Sequence, residues 1–348
     1  PPGATTVTSA AIKTSDESNS ETRTIGAYIE QHIALNDRLF LTGALRSDRN
    51  SAFGADFKTV LYPKFSASWV VAQGRGGLVD QLRLRTAYGA SGVQPSTTAA
   101  VQFYSPLTYV GESGEAPGLV ADALGNRDLK PERSAELEVG FDATLFNNRV
   151  TAEVTWYNKK STDALISRVL PPSLGTGATT RFENLGEVKN TGWEIMLMAQ
   201  VIDGRSFGWD LALNGSLNSN ELISLGGVPP GAGATSRNVE GYPLFGWWNH
   251  RFLGFEDKNG DGLIRYSADP NLNEVFLGTE PEYLGPSLPT REFALTSGID
   301  LFRRSLRLSG QLDYKGGHLL YNNTERIRCQ SRNNCRGLID PNAPLFEQ

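Results

Sequence analysis

The chain has 348 residues, a net charge of −5 and 39% hydrophobic residues, and its mean hydropathy is −0.31. It holds no run of about 18 apolar residues and so encodes no transmembrane helix, although a protein that crosses a bilayer with strands shows no such run, because only alternate residues face lipid. The acidic balance argues against nucleic acid as a partner. Pro1-Pro2-Gly3-Ala4 carries neither the basic nor the apolar part of a signal peptide, so a secreted origin requires a leader upstream.

Period-2 alternation runs through the chain in pairs of segments. Thr24–Leu35 and Leu39–Arg46 flank Asn36-Asp37. Leu61–Val71 and Gln81–Gly89 flank a glycine-rich turn at Gly74–Gly77. The cleanest case is Ser134–Phe146. There Ala135, Leu137, Val139, Phe141, Ala143 and Leu145 share one face, and Glu136, Glu138, Gly140, Asp142 and Thr144 the other. Val150–Tyr157 follows after Asn147-Asn148-Arg149, a turn of residues that tolerate tight geometry. Gly192–Val201 and Trp209–Leu217 flank Asp203-Gly204, and Phe293–Leu301 and Leu306–Tyr314 flank Arg303-Arg304. A lone strand is expected at Gly246–Phe255, making about eleven.

Between these hairpins lie long segments rich in Gly, Pro, Ser, Asn and Asp, near residues 91–133, 161–189, 223–245, 256–290 and from 316 onward. Short turns and long loops therefore alternate in strict order. In an up-and-down arrangement this puts all short turns at one end and all long loops at the other, the layout of outer-membrane barrels. Strands of about 9–11 residues suit a bilayer crossing, whereas soluble strands average about 5–6. The expected fold is all-β: part of a larger antiparallel up-and-down transmembrane β-barrel with long extracellular loops. Residues 1–20 are expected to be a loop, 21–317 the strands and loops of the barrel, and 318–348 a further extracellular loop.

The apolar face is expected to meet lipid, because the other carries charge that hydrocarbon rejects at about 2–4 kcal/mol per Arg or Lys at midplane. Arg83, Arg85, Glu136, Glu138, Asp142, Glu153, Glu194, Asp210, Arg307 and Asp313 are the expected lumen-facing set. So many ionisable groups suit a wet lumen or a polar plug, and not a dry core. Tyr28, Trp69, Tyr88, Trp156, Trp193, Trp209 and Tyr314 lie towards strand ends and are expected to form interfacial girdles.

The stretch Asn126-Arg127-Asp128-Leu129-Lys130-Pro131-Glu132, followed by Leu137-Glu138-Val139-Gly140-Phe141, resembles the start of a late barrel strand in TonB-dependent transporters. Leu82–Gly89, Asn184–Glu194, and Gly241-Tyr242-Pro243-Leu244 with Gly254-Phe255 and Asp257–Gly262 resemble the SusC/RagA branch in order and spacing. The resemblance covers about residues 21–317. It implies outer-membrane import of oligosaccharides or peptides driven through the TonB complex, a SusD-like surface lipoprotein over the long-loop end, contact with membrane lipid, and no ATP or redox cofactor. The family's plug, its TonB-contacting segment and its terminal strands are not recognised here. Barrels of such transporters have about 22 strands. Two other readings stand beside this one: a passive or structural outer-membrane barrel, and a soluble extracellular β-rich binder that would extract without detergent.

Motifs with their own chemistry are few. Asp257, Asn259 and Asp261 open a D-x-N-x-D-G run that suits calcium, but the twelfth position is Ala268 and not Glu, so an Asx-rich turn is the alternative. Cys329 and Cys335 are either a local disulfide or two free thiols. His32, His250 and His318 lack metal-ligand spacing. Glu136 and Glu138 sit on one strand, as solvated lining rather than an acid–base pair. No nucleophile elbow, zinc-helix or phosphate-loop motif occurs, and no catalytic residue is assigned, so the chain reads as a non-enzyme.

Overall fold

The computed structural model describes residues 21, 23–51, 59–74, 77–95, 99–111, 114–174, 179–230 and 235–348. The expected leading loop, 1–20, and residues 75–76 of the glycine-rich turn lie outside the described residues. In chain order the strands are β1 (Thr24–Leu35), β2 (Leu39–Asn50), β3 (Val60–Gln73), β4 (Val79–Val93), β5 (Phe103–Gly111), β6 (Gly114–Ala123), β7 (Glu132–Leu145), β8 (Val150–Val169), β9 (Thr180–Asp203), β10 (Phe207–Ser224), β11 (Ser236–Arg237), β12 (Gly246–Phe255), β13 (Val275–Gly285), β14 (Arg291–Leu301) and β15 (Leu306–Gly316).

Ten of them form one antiparallel sheet in the order β1-β2-β3-β4-β7-β8-β9-β10-β14-β15, the up-and-down order expected. The other five leave the wall at its long-loop end. β5 and β6 pair with each other inside the 91–133 connection, and β11, β12 and β13 form a separate sheet. The lone strand expected at Gly246–Phe255 therefore exists, as β12, but it belongs to this outer sheet and the wall has ten strands among the described residues. Alternation alone does not distinguish a strand that crosses lipid from one that stands above it.

Local sequence explains the short turns. Asn36 and Asp37 both adopt φ of 51°, and Asn147 and Asn148 adopt 58° and 64°, left-handed values that Asn and Asp accept more readily than most residues. Phe302, Arg303 and Arg304 take the same conformation without such side chains, with φ of 51°, 57° and 64°.

Register carries the alternation across the wall. Along one row, Leu84 faces Phe141, then Val154, Ile195, Gly215, Phe293 and Tyr314. The adjacent row runs Arg83, Asp142, Glu153, Met196, Asn214, Ala294 and Asp313. One face is thus apolar and the other polar. The apolar face is open: Val139 is 47% exposed, Trp193 48% and Leu312 71%. Among the described residues the largest fully buried side chains are Leu129 and Leu222, both near the long-loop end. This is an inside-out distribution, with apolar bulk outside and, among the described residues, only a small buried cluster of Val60 and Tyr62 against Ala90.

The aromatic expectation needs one correction. Tyr28 pairs with Arg46 and so lies on the polar face. Trp69 and Trp209 stand near the short-turn end of the apolar face and Tyr88 nearer the other end, while Trp156 pairs directly with Trp193 on the neighbouring strand. A residue's place along its strand is readable from sequence, but its height depends on how strands stagger.

The apolar face predicts a sharp asymmetry between neighbours. Val139→Arg, at mid-height, is expected to destabilise the barrel in lipid by about 2–4 kcal/mol, whereas Glu138→Gln beside it changes little. Denaturant titration of protein folded into phospholipid vesicles checks both, and equal losses would contradict the assignment of faces.

Candidate functional site

The site is built from two parts, the polar face and the crown of excursions above it. All ten expected lumen residues fall on the polar face. Arg83 and Arg85 come from β4, Glu136, Glu138 and Asp142 from β7, and Glu153 from β8. Glu194 comes from β9, Asp210 from β10, and Arg307 and Asp313 from β15.

Several of the ten meet. Arg85 Nε donates to Asp142 Oδ1 at 2.8 Å and its Nη2 to Thr155 Oγ1 at 2.7 Å. Arg307 bridges two carboxylates, with Nη2 donating to Asp210 Oδ1 at 2.8 Å and Nη1 to Asp300 Oδ1 at 3.1 Å. Gly298 lies under this fork, where a β-carbon would collide with the Arg307 guanidinium and the Asp210 carboxylate. Glu136 approaches Lys159 at 3.9 Å. Gln311 Nε2 donates to Asp313 at 3.0 Å. Arg85, Glu138, Glu153, Glu194 and Asp313 line one open groove of about 480 Å³, joined by Glu292 and Lys315, which pair at 3.0 Å. Carboxylates outnumber cations there, giving a negative, wet recess suited to hydrogen-bonding polar or cationic groups.

The same face holds residues that single-strand reading passed over: Glu30, His32, Arg46, Asp48, Lys64, Lys159, Glu292, Asp300 and Lys315. Their alternation carried the signal once phase was transferred across the register. His32 is held between Glu30 (Nε2–Oε1 2.7 Å) and Thr42 (Nδ1–Oγ1 2.8 Å), so its ring is satisfied within the wall. Met196 and Met198 also lie on the polar face, which no polarity rule would indicate.

The crown is anchored by the motif residues themselves. Asn126 Nδ2 donates to the Phe182 carbonyl at 3.0 Å, and the Lys130 amide donates to Asn184 Oδ1 at 2.9 Å. Asn184 Nδ2 donates in return to the Lys130 and Asp163 carbonyls, each at 2.8 Å. Glu132 Oε1 accepts from the Leu165 amide at 2.8 Å, and Leu129 is fully buried between these ties. The 126–132 stretch thus stitches the 91–133 excursion to the tall β8–β9 hairpin, whose strands continue to Val169 and start at Thr180. Long connections here are largely structured.

The third motif anchors the second excursion. Tyr242 packs edge-on against Trp248 (4.9 Å between centroids) and in a tilted arrangement against Tyr283 (4.8 Å). Gly241, at φ 83°, donates its amide to the Leu222 carbonyl at 2.8 Å. Asp257 accepts from the amides of Gly260 (2.8 Å) and Gly262 (2.9 Å), and Asn259 from Asp261 (2.9 Å). Asp261 accepts from the Leu263 amide and from Arg265 Nη2, each at 2.9 Å. The arrangement is a hydrogen-bonded Asx turn in which the Arg265 guanidinium supplies the neighbouring positive charge. Among the described residues no group of three or more His, Cys, Asp or Glu gathers to hold a metal ion.

Glu274, 3% exposed, suspends this loop by accepting from the amides of Lys258 and Arg265, each at 3.0 Å. Glu274→Ala leaves both amides unpaired, at a cost of about 2 kcal/mol. Trypsin should then cut at Lys258 and Arg265 about thirtyfold faster, as the open state gains population; unchanged cleavage rates would contradict this role.

Cys329 and Cys335 are both free thiols, the second of the two readings left open by their spacing. Hydrogen bonding with Cys335, then burial and the Glu325 carboxylate, push the Cys329 thiol up to about 12. A raised thiol pKa keeps the reactive thiolate scarce. The alkylation rate of Cys329 should therefore keep climbing about tenfold per pH unit above pH 9, where an ordinary cysteine levels off. Mass-spectrometric rates between pH 8 and 10.5 check this.

The fold and faces define a class, the transmembrane antiparallel β-barrel of the bacterial outer membrane. Residues 1–321 match the family described as "TonB dependent receptor-like, beta-barrel", and the chain belongs to that family. It is 30% identical over 270 residues to TonB-dependent receptor P26 of Formosa agariphila, covering 66% of this chain and 27% of that protein. It is 28% identical over 207 residues to TonB-dependent receptor SusC of Bacteroides thetaiotaomicron, covering 56% of this chain and 20% of that one. The chain thus spans about a quarter of the length of the curated relatives it matches. The structure of the RagAB peptide transporter shares the fold, with a TM-score of 0.72 at 20% identity, over 86% of this chain and 34% of that one.

Proposed function

We propose that this chain forms part of the wall and outer crown of a SusC-like importer that carries oligosaccharides or peptides across the outer membrane. The observation that carries the reading is the combination of an inside-out sheet with a polar, groove-bearing face and a crown stitched together at one end only. Relatives named as TonB-dependent receptors, SusC among them, support energisation through the TonB complex, reached by a plug region elsewhere in the transporter. The polar face then lines the lumen and meets the plug, and the apolar face meets lipid. A SusD-like surface lipoprotein closes over the crown and holds substrate against it. No catalytic step and no cofactor enter: the wall supplies hydrogen bonds and charge along a wet path.

Uptake tests the reading. Cells producing the intact transporter should accumulate labelled oligosaccharide or peptide, and loss of TonB or collapse of the proton-motive force should abolish accumulation. Uptake indifferent to TonB would favour a passive barrel. Recovery of the protein in the aqueous phase without detergent would favour a soluble binder.

A further inference from the structure

On the apolar face, charge is confined to one level. Arg49, Arg133, Lys160, Lys189 and Arg291 share the parity of the apolar rows: Arg49 pairs with Ile25, Lys160 with Ala135, and Arg291 lies in the row of Trp193 and Leu217. Each stands about ten to fourteen residues from the short-turn end of its own strand. Between that end and these residues the apolar faces of β1, β2, β7, β8, β9, β14 and β15 carry no Lys, Arg, Asp or Glu. About ten residues at about 3.3 Å each, on strands tilted about 40°, make a band of about 25 Å, the height of an outer-membrane apolar belt. The cations therefore stand at its outer edge.

The sign at that level is biased in a chain whose net charge is −5. Two carboxylates share it. Glu187 is taken by Lys160 at 2.8 Å, and Glu221 lies opposite Lys189 in register. Arg49, Arg133, Lys189 and Arg291 are exposed and make no ion pair among the described residues. β7, β8, β9 and β14 lie within five consecutive strands, about 20 Å at normal strand spacing. A cation left unpaired at the edge of hydrocarbon is costly unless an anion from the membrane meets it, and guanidinium groups bind phosphate in forked geometry.

We propose that this rim binds the phosphate groups of phosphorylated outer-leaflet lipid headgroups, fixing the height and orientation of the wall. The inference rests on the apolar face meeting lipid. Lys189, Arg133 and Arg291 form the main cluster, Arg49 extends it across three strands, and Lys160 is held back by Glu187.

The test uses the intact transporter in nanodiscs containing bisphosphorylated lipid A, its dephosphorylated form or phosphatidylcholine at equal mole fraction, with bound lipid per protein read by mass spectrometry. The wild type should retain the phosphorylated lipid about tenfold over the other two, falling at high salt. Combined Arg49→Gln, Arg133→Gln, Lys189→Gln and Arg291→Gln should remove that preference. Should the combination not fold, as seen by loss of heat-modifiable migration, Lys189→Gln alone should lower retention several-fold while Lys189→Arg preserves it. Equal retention of phosphorylated and dephosphorylated lipid, or unchanged retention in the Gln variants, would overturn the inference. So would full competition by millimolar inorganic phosphate. Failure of the wild type to enter nanodiscs at all would instead overturn the barrel reading beneath it.

Discussion

Hydrocarbon offers no hydrogen-bond partner to a peptide group, and the rest of this structure depends on that fact. Every N–H and C=O that crosses lipid must be met by a neighbouring strand. Between β1 and β15 the ten-stranded ladder meets this demand by antiparallel register, interrupted only by local bulges. The excursions β5–β6 and β11–β13 leave the wall only where water is available again. The same constraint sorts the faces, since any charge on the wall must turn to the wet side or stay at the belt's edge.

Above the belt the problem reverses. Backbone groups can be solvated, but long connections lose too much entropy to hold a shape unless something ties them. Side-chain amides and carboxylates provide the ties: Asn126 and Asn184 between two excursions, Glu132 beneath Leu165, and Glu274 under the 257–265 turn. Asn126, Glu132 and Asn184 belong to the stretches that resemble family motifs. Their chemistry is architectural, positioning a crown above a polar groove.

Much of this was legible from residues alone. Period-2 alternation bounded by short turns announced the hairpins, and the parity within Ser134–Phe146 separated Glu138 and Asp142 from Val139 and Phe141. The alternation could not show that β12 leaves the wall or that β8 and β9 rise far above it, because strand pattern is indifferent to whether lipid or water lies beside it. Tyr28 was misplaced for a related reason: an aromatic near a strand end reads as a girdle residue until its partner, Arg46, shows which face it shares. Met196 and Met198 escape by composition, being apolar side chains on the polar face.

The sequence by itself determined the strands, their two faces and the alternation of short and long connections. These depend on residue types within a few positions of one another and on a period of two. Only the tertiary structure decided which side chains stand together. The bridge from Arg307 to Asp210 spans 97 residues, and the tie between Asn184 and Lys130 spans 54. The basic level of Arg133, Lys189 and Arg291 draws on three strands whose stagger sets their height. Stagger is a cooperative property of the whole sheet, fixed by hydrogen-bond register between strands, and no single strand encodes it.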